Sequence, residues 1–255
     1  MEKLRTCVVG KRGGNVGSRH ILDLDPYHFA GACDLVPERA EEAASKLGAG
    51  VNAYTDFGEM LRTEQPDVVY IATNTQPRPK LAIAAAEAGV RGIIAEKPMA
   101  MSMGEAREMV EAVAKHGGRM IVLHQRRMGS DLLEMRSLIE EGAIGDVRLI
   151  RTECAGDMLS DGTHAVDSLR WLAGDAEATW VLGQVFRVLP GPDGEPVSEE
   201  FKNHDGFRFG HPVESGAMGV IQFSTGLRGE VYTGRARQKS RAYQDYEAFG
   251  EEGQL

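Results

Sequence analysis

The 255-residue chain has few cysteines, no excess of basic residues and no long hydrophobic run. Cys7, Cys33 and Cys154 lie far apart without a C-x-x-C pair, which argues against a disulfide framework or a zinc site and is typical of a reduced compartment. The formal net charge of -9 argues against a nucleic-acid partner, because such proteins carry basic excess. No apolar run has the length of a signal peptide or a membrane span. We therefore expect a cytoplasmic protein with no membrane or nucleic-acid partner.

The first half of the chain alternates short apolar segments with helical patterns. Continuous apolar runs such as TCVVG, DVVYIATN and GIIAEKP are typical of parallel strands that are covered on both faces. One helix is expected to begin at Ser102, with Glu105 at capping-box spacing, and to stop at Gly117. This alternation predicts an α/β fold, in which residues 1–122 form an N-terminal Rossmann-type, doubly wound parallel sheet.

The second half, residues 123–255, has strands with little helix between them. Two helical patterns come first, and the later strands AMGVIQFS and LRGEVYTG are joined by a hairpin turn in FSTGLRG. This order predicts a C-terminal α+β domain with a mainly antiparallel sheet. Residues 190–215 predict a long loop rich in Gly, Pro and charge, which is a lid, an oligomer contact or a mobile segment.

A glycine-rich turn directly follows the first strand. Glycines there let the backbone approach a pyrophosphate at a helix N-terminus, although such a turn is often only structural. Residues 14–17 fit the second half of G-x-G-x-x-G, whereas Arg12 stands where the first glycine is expected. The predicted cofactor contacts in this turn are Gly10, Arg12, Gly13, Gly14, Asn15 and Val16.

Asp34 ends the second strand, where a carboxylate can accept hydrogen bonds from an adenosine ribose. Because a carboxylate repels a 2′-phosphate, NAD is favoured over NADP, while Lys11 and Arg12 can contact phosphates and keep NADP possible. The alternative is that Asp34 only caps the following helix. The remaining predicted cofactor contacts are Leu35, Thr73, Asn74, Glu96 and Lys97.

The stretch IIAEKP brings Lys97 to the carboxyl edge of the sheet, where ligands of such folds bind. An ammonium group at the nicotinamide end can donate to a substrate hydroxyl and stabilise an alkoxide as hydride leaves the carbon. Pro98 fixes the chain at this turn. The alternative is that Lys97 is a solvated strand end.

The chain resembles the Gfo/Idh/MocA oxidoreductases along essentially its whole length. The resemblance rests on EKP, on ATN after the fourth core strand, on RRM at residues 126–128, and on IEEGAIGDVR, DGTHAVDSLRWLAGD and AFGEEGQL. It implies that Lys97 works with a histidine on a helix of the second domain, here His164, and that subunits pair through the C-terminal sheet. There are two departures: Ser160 stands where an aspartate is common, and Arg78 replaces a common histidine.

The helix that contains His164 has two faces. Ala165, Leu169 and Leu172 form an apolar stripe for the core. Asp167 lies one turn from His164 and can orient it or stabilise its charge, or the two form only a surface ion pair. Histidine titrates near neutral pH, which suits removal of a hydroxyl proton. In place of the missing aspartate, either Asp161 or Asp157 serves through a shifted turn, or the proton relay is altered.

The expected function is NAD(P)-dependent hydride transfer between a nicotinamide cofactor and a secondary hydroxyl or ketone of a sugar, polyol or related cyclic substrate. Lys97 and His164 are the predicted catalytic residues. Two alternatives stay open: bound NAD used for transient oxidation in glycoside cleavage or epimerisation, and a non-catalytic cofactor-binding scaffold or regulatory protein. No metal is expected, because neither H-E-x-x-H nor a cysteine pair is present. The predicted substrate contacts are Arg127, Asp157, Ser160, Asp161 and His164.

Overall fold

The structure is a computed structural model that describes residues 3–10, 26–186, 207–208, 211–234, 236 and 243–255. The chain divides into two compact units, Met1–Leu123 and His124–Leu255. Most of the glycine-rich turn (residues 11–25) and most of the predicted long loop lie outside the described residues. Among the helices that the structure describes, none is long and apolar enough to cross a membrane.

The first unit contains a six-stranded sheet in the order β3-β2-β1-β4-β5-β6, with all neighbouring strands parallel. The strand order reverses between β1 and β4, which opens a crevice at the carboxyl ends of these two strands. This topology confirms the predicted doubly wound parallel sheet. The strands are β1 (Leu4–Val9), β2 (Tyr27–Cys33), β3 (Asn52–Tyr54), β4 (Val68–Ile71), β5 (Gly92–Ala95) and β6 (Arg119–Val122).

Helices join these strands, and capping side chains define where several of them begin. The Asp56 side chain accepts from the Glu59 N–H at 2.6 Å, and the Ser102 hydroxyl accepts from the Glu105 N–H at 3.2 Å. Gly117, with φ +71°, ends the last helix of the unit, as expected from the sequence. The helices are α1 (Pro37–Leu47), α2 (Phe57–Glu64), α3 (Arg78–Glu87) and α4 (Met103–Lys115).

The parallel strands are buried on both faces, which explains why their sequences are continuously apolar. Successive side chains of a strand point to opposite faces. Cys7, Val9 and Val69 accordingly belong to one core cluster, whereas Val8 and Tyr70 belong to another. Helices therefore cover both faces of this sheet.

The second unit contains a five-stranded sheet in the order β13-β7-β12-β11-β8. Three of the four pairings are antiparallel, and β7 pairs with β12 in parallel, so the prediction of a mainly antiparallel sheet is confirmed. A separate short ribbon pairs β9 with β10. The strands are β7 (Val147–Cys154), β8 (Ala178–Phe186), β9 (Phe207–Arg208), β10 (His211–Pro212), β11 (Gly216–Phe223), β12 (Arg228–Gly234) and β13 (Gln244–Gly250).

Helix α6 (Thr163–Leu172) packs on the sheet of the second unit, and helix α5 (Ser130–Glu140) precedes β7. Ala165, Leu169 and Leu172 are buried in this core, which confirms the apolar stripe. A Cβ on Gly229 of β12 would lie 2.7 Å from Leu169 Cδ2, so the helix approaches the strand where there is no side chain. The predicted hairpin turn joins β11 to β12, with the Phe223 N–H donating to the Leu227 carbonyl.

Candidate active site

Gly10 lies where β1, β2 and β4 meet at the carboxyl edge of the first sheet. Its N–H donates to the Cys33 carbonyl at 2.9 Å, and its φ is +99°. A Cβ at this position would lie 2.7 Å from Thr73 Cγ2 and 2.8 Å from the Thr73 nitrogen. The position therefore requires glycine. Two predicted cofactor contacts, Gly10 and Thr73, are thus brought together, whereas Arg12, Gly13, Gly14, Asn15 and Val16 lie outside the described residues.

Asp34 directly follows β2 at the same edge. Its Oδ1 accepts from the Val36 N–H at 3.0 Å in the turn before α1, whereas the N-cap of α1 is Val36, without a side-chain cap hydrogen bond, so the bond does not match the alternative of a helix cap. This bond uses one oxygen, and the second remains suited to a ribose hydroxyl. Leu35 beside it is 90% exposed, an apolar side chain that an adenine ring would cover. The residues at this edge therefore fit the adenosine half of a dinucleotide.

The EKP turn follows β5 at the same edge. The Tyr70 hydroxyl donates to Glu96 Oε1 at 2.7 Å, and the Lys97 N–H donates to Glu96 Oε2 at 3.3 Å. The Lys97–Pro98 peptide bond is cis, and the Lys97 side chain is half-buried. Glu96 is thus fixed by a side chain from the neighbouring strand, and it holds the backbone that carries Lys97.

Arg78 has a role that sequence reasoning missed, because it was noted only as a departure from the family pattern. It begins α3, yet it is only 1% exposed. Its guanidinium donates to the Thr73 carbonyl after β4 and to the Pro98 carbonyl after β5. Arg78 therefore ties together the two turns that carry predicted cofactor contacts and Lys97. An arginine at the start of a helix is usually solvated, so the sequence held no signal for this role.

In the second unit, Asp157 begins a single π-helical turn, Met158–Gly162, that leads into α6. Its buried carboxylate accepts from the Ser160 N–H at 2.8 Å and from the Ser160 hydroxyl at 2.6 Å. Asp161 accepts a hydrogen bond from Tyr243; burial and this bond raise the pKa of the Tyr243 hydroxyl. The described contacts of Asp157 and Asp161 thus include Ser160 and Tyr243, and the use of either aspartate in place of the missing one stays a prediction.

His164 is 4% exposed, so a surface ion pair with Asp167 does not describe it. Asp167 accepts hydrogen bonds from Arg127 Nε at 2.7 Å and Nη2 at 2.8 Å. His164 Nδ1 lies 3.4 Å from Nδ1 of His124, a residue that sequence reasoning did not select. Hydrogen bonding to Asp167 raises the pKa of Arg127. The pairing of Arg127 with Asp167 favours a positioning role over the predicted substrate contact.

Cation ligands are not grouped in the described part of the chain. No set of three or more His, Cys, Asp or Glu side chains there is arranged to hold a metal ion.

The matches of the chain to known families agree with this arrangement. Residues 4–124 match a model described as "Oxidoreductase family, NAD-binding Rossmann fold", which defines an oxidoreductase with NAD as its cofactor. Residues 132–255 match the GFO/IDH/MocA C-terminal domain. The chain belongs to the GFO/IDH/MocA family. This confirms the resemblance, the Rossmann-type fold and the NAD cofactor predicted from the sequence.

Named relatives share modest identity with the chain. Levoglucosan dehydrogenase from Pseudarthrobacter phenanthrenivorans is 29% identical, and the match covers 100% of this chain and 73% of that protein. Inositol 2-dehydrogenase from Salmonella typhimurium is 26% identical over 58% of this chain and 44% of its own length, less than half of that enzyme. A solved structure of levoglucosan dehydrogenase with NADH and L-sorbose is 25% identical, with a TM-score of 0.79, and covers 100% of this chain and 72% of that one.

Proposed function

We propose that the chain is an NAD(P)-dependent oxidoreductase that transfers hydride between a nicotinamide cofactor and a secondary hydroxyl or ketone of a sugar, polyol or related cyclic substrate. The observation that carries this proposal is the position of Lys97, directly after β5 at the edge of the sheet that also carries Gly10 and Asp34. The relatives named for levoglucosan and inositol support this class of substrate. No observation favours transient oxidation or a scaffold role.

NAD⁺, when bound, supplies the acceptor for the hydride that leaves the hydroxyl-bearing carbon. Asp34 accepts from the adenosine ribose and disfavours a 2′-phosphate, so NAD is the preferred form. Lys97 donates to the substrate oxygen and stabilises its developing negative charge. His164 acts as general base on the hydroxyl proton. The residues proposed to hold the cofactor are Gly10, Asp34, Leu35, Thr73, Asn74 and Glu96, with Arg12, Gly13, Gly14, Asn15 and Val16 of the glycine-rich turn.

The test replaces Lys97 by Ala and compares the variant with Lys115→Ala. Lys115 is exposed in the last turn of α4, which leads to the amino edge of the sheet rather than the carboxyl edge. Loss of a proton-sharing group lowers turnover by about 10²–10⁴-fold. We expect this loss in K97A, with NAD⁺ affinity nearly unchanged, and no loss in K115A.

Turnover is measured by NADH absorbance across a panel of sugars and polyols, and NAD⁺ affinity by calorimetry. Equal loss of turnover and cofactor binding in K97A would contradict the proposed role and indicate damage to the fold of the turn. Wild-type protein that binds neither NAD⁺ nor NADP⁺ would reject the proposed function itself.

We also propose a homo-oligomer formed through the C-terminal sheet. Strand β8 is the last strand of that sheet, and it exposes apolar side chains along its length. The exposed fractions are 50% for Trp180, 64% for Val181, 69% for Leu182 and 57% for Val185. An apolar patch of this kind at a sheet edge is typical of an interface. Light scattering should show an oligomer that Leu182→Glu dissociates; a monomeric wild type would reject the proposal.

The three free cysteines support a cytoplasmic location.

A further inference from the structure

His164 faces a second imidazole in the same unit. The Nδ1 atoms of His124 and His164 lie 3.4 Å apart, and the rings meet edge to face, with centroids 5.2 Å apart at 87°. A neutral imidazole has one donor and one acceptor nitrogen. A hydrogen bond between these two Nδ1 atoms therefore requires that one of them carries a proton and that the other presents a lone pair.

A carboxylate lies near the same nitrogen of His124. Asp167 Oδ2 is 4.0 Å from His124 Nδ1, and both rings and the carboxylate are largely shielded from water. Arg127 fixes this carboxylate through two hydrogen bonds and also reaches Asp175 at 3.5 Å. A fixed negative charge at this position stabilises a positive charge on His124. The charged groups near the pair are therefore Asp167, Arg127 and Asp175.

We infer that His124 is a positioning residue that sets the tautomer of His164 and takes up a proton from it during turnover. This inference rests on the proposed function, in which His164 is the general base. His164 Nδ1–H donates to His124 Nδ1, and in this tautomer Nε2 of His164 carries the lone pair that a general base for the substrate hydroxyl requires. The same relation is seen where a carboxylate orients a catalytic histidine through its other nitrogen.

A proton passes along the histidine pair during turnover. The substrate O–H bond breaks, and its proton forms a bond with His164 Nε2. The His164 Nδ1–H proton then moves to His124 Nδ1, so the positive charge comes to lie beside Asp167. His124 later releases its Nε2 proton to solvent, which its side chain reaches with 18% exposure. The alcohol has then lost one hydride and one proton, and each histidine holds its proton on the opposite nitrogen. Before the next turnover His164 releases its Nε2 proton, the His124 Nδ1 proton returns to His164 Nδ1, and His124 takes up a proton from solvent at Nε2.

Ser160 and Asp161, which precede His164 by about one helical turn in the sequence, have described partners of their own. Ser160 donates its hydroxyl to Asp157, and Asp161 accepts from Tyr243. Asp167 places a carboxylate oxygen 4.0 Å from His124 Nδ1, the nitrogen that also faces His164. His124 thus lies within reach of both the base and a carboxylate that Arg127 holds through two hydrogen bonds.

The experiment compares His124→Phe, which removes both nitrogens, with His124→Asn, whose amide keeps a hydrogen bond to His164 but cannot carry the proton. Turnover with the best substrate should fall by about 10–100-fold in both variants, less than the roughly 10²–10⁴-fold loss expected when the acid–base group itself is removed, because His164 still accepts the first proton. KM and NAD⁺ affinity should change little. The matched control is His116→Phe, an exposed histidine after α4 that should turn over as the wild type does.

The tautomer of His164 is read separately by ¹⁵N NMR of histidine-labelled, cofactor-free protein at pH 8. We expect a protonated Nδ1 in the wild type and in H124N, and a substantial Nε2–H form in H124F. A kcat within twofold of the wild type in H124F, or an unchanged tautomer in that variant, would overturn the inference. Absence of any NAD-linked turnover in the wild type would reject the proposed function instead, and the NMR comparison would still decide the role of His124 in setting the tautomer.

Discussion

Replacing Arg78 by Lys tests whether one buried guanidinium holds the two turns of the nucleotide-binding edge together. Arg78 donates to two backbone carbonyls, those of Thr73 and Pro98, from a position that is 1% exposed. Lysine keeps the positive charge but has one nitrogen in place of Nη1 and Nη2, each of which reaches a different carbonyl here, so we expect it to keep only one of the two contacts. The variant therefore loses one hydrogen bond from a charged donor and leaves a buried carbonyl unsatisfied, which costs about 2 kcal/mol.

This loss corresponds to a decrease in Tm of roughly 4–8 °C for a chain of this size. The matched control is Arg91→Lys, since the Arg91 guanidinium pairs with Asp67 but its side chain is 72% exposed, and the change should cost less than about 1 kcal/mol. Stability is measured by thermal unfolding and cofactor affinity by titration with NAD⁺. We expect R78K also to bind NAD⁺ more weakly, because Thr73 and Lys97 lie on the turns that it loosens. Equal Tm values for R78K and R91K would refute the reasoning.

Three further predictions concern buried groups of the first unit. Burial alone would raise the pKa of Glu64, but hydrogen bonds from Tyr54 and its neighbours outweigh it and lower the pKa. Glu64→Gln should therefore cost about 2 kcal/mol at neutral pH. The difference in Tm from the wild type should shrink as the pH falls through that lowered pKa, because the stabilisation belongs to the ionised form. Burial raises the pKa of Cys7 and Cys33 to about 12, so neither thiol should react with a disulfide reagent at pH 8 until denaturant is added. Gly10→Ala should lower stability by roughly 1–3 kcal/mol and weaken NAD⁺ binding, because its Cβ would overlap Thr73; unchanged values in calorimetry would contradict this.

The helices and strands that could be predicted from the sequence are those whose buried residues recur at a regular spacing along the chain. The run at Val68–Ile71 is apolar at every position because helices cover both faces of the first sheet, and the structure buries all four residues. Ala165, Leu169 and Leu172 recur at helical spacing because α6 has only one face on its sheet. In both cases neighbouring residues in the sequence carry the whole signal.

The polar partners at the candidate site could not be predicted in this way. Asp167 lies one turn from His164, and helical spacing alone favours contact between them. Arg127, 40 positions before Asp167 in the chain, donates two parallel hydrogen bonds from its planar guanidinium to the two oxygens of Asp167. One imidazole ring cannot donate to both oxygens in this way. Nδ1 of His164 lies 3.4 Å from Nδ1 of His124, another residue 40 positions away. Helical spacing indicates which side chains of one helix lie close together. The fold determines which distant residues compete for their hydrogen bonds, and here the distant Arg127 binds Asp167 through two parallel hydrogen bonds.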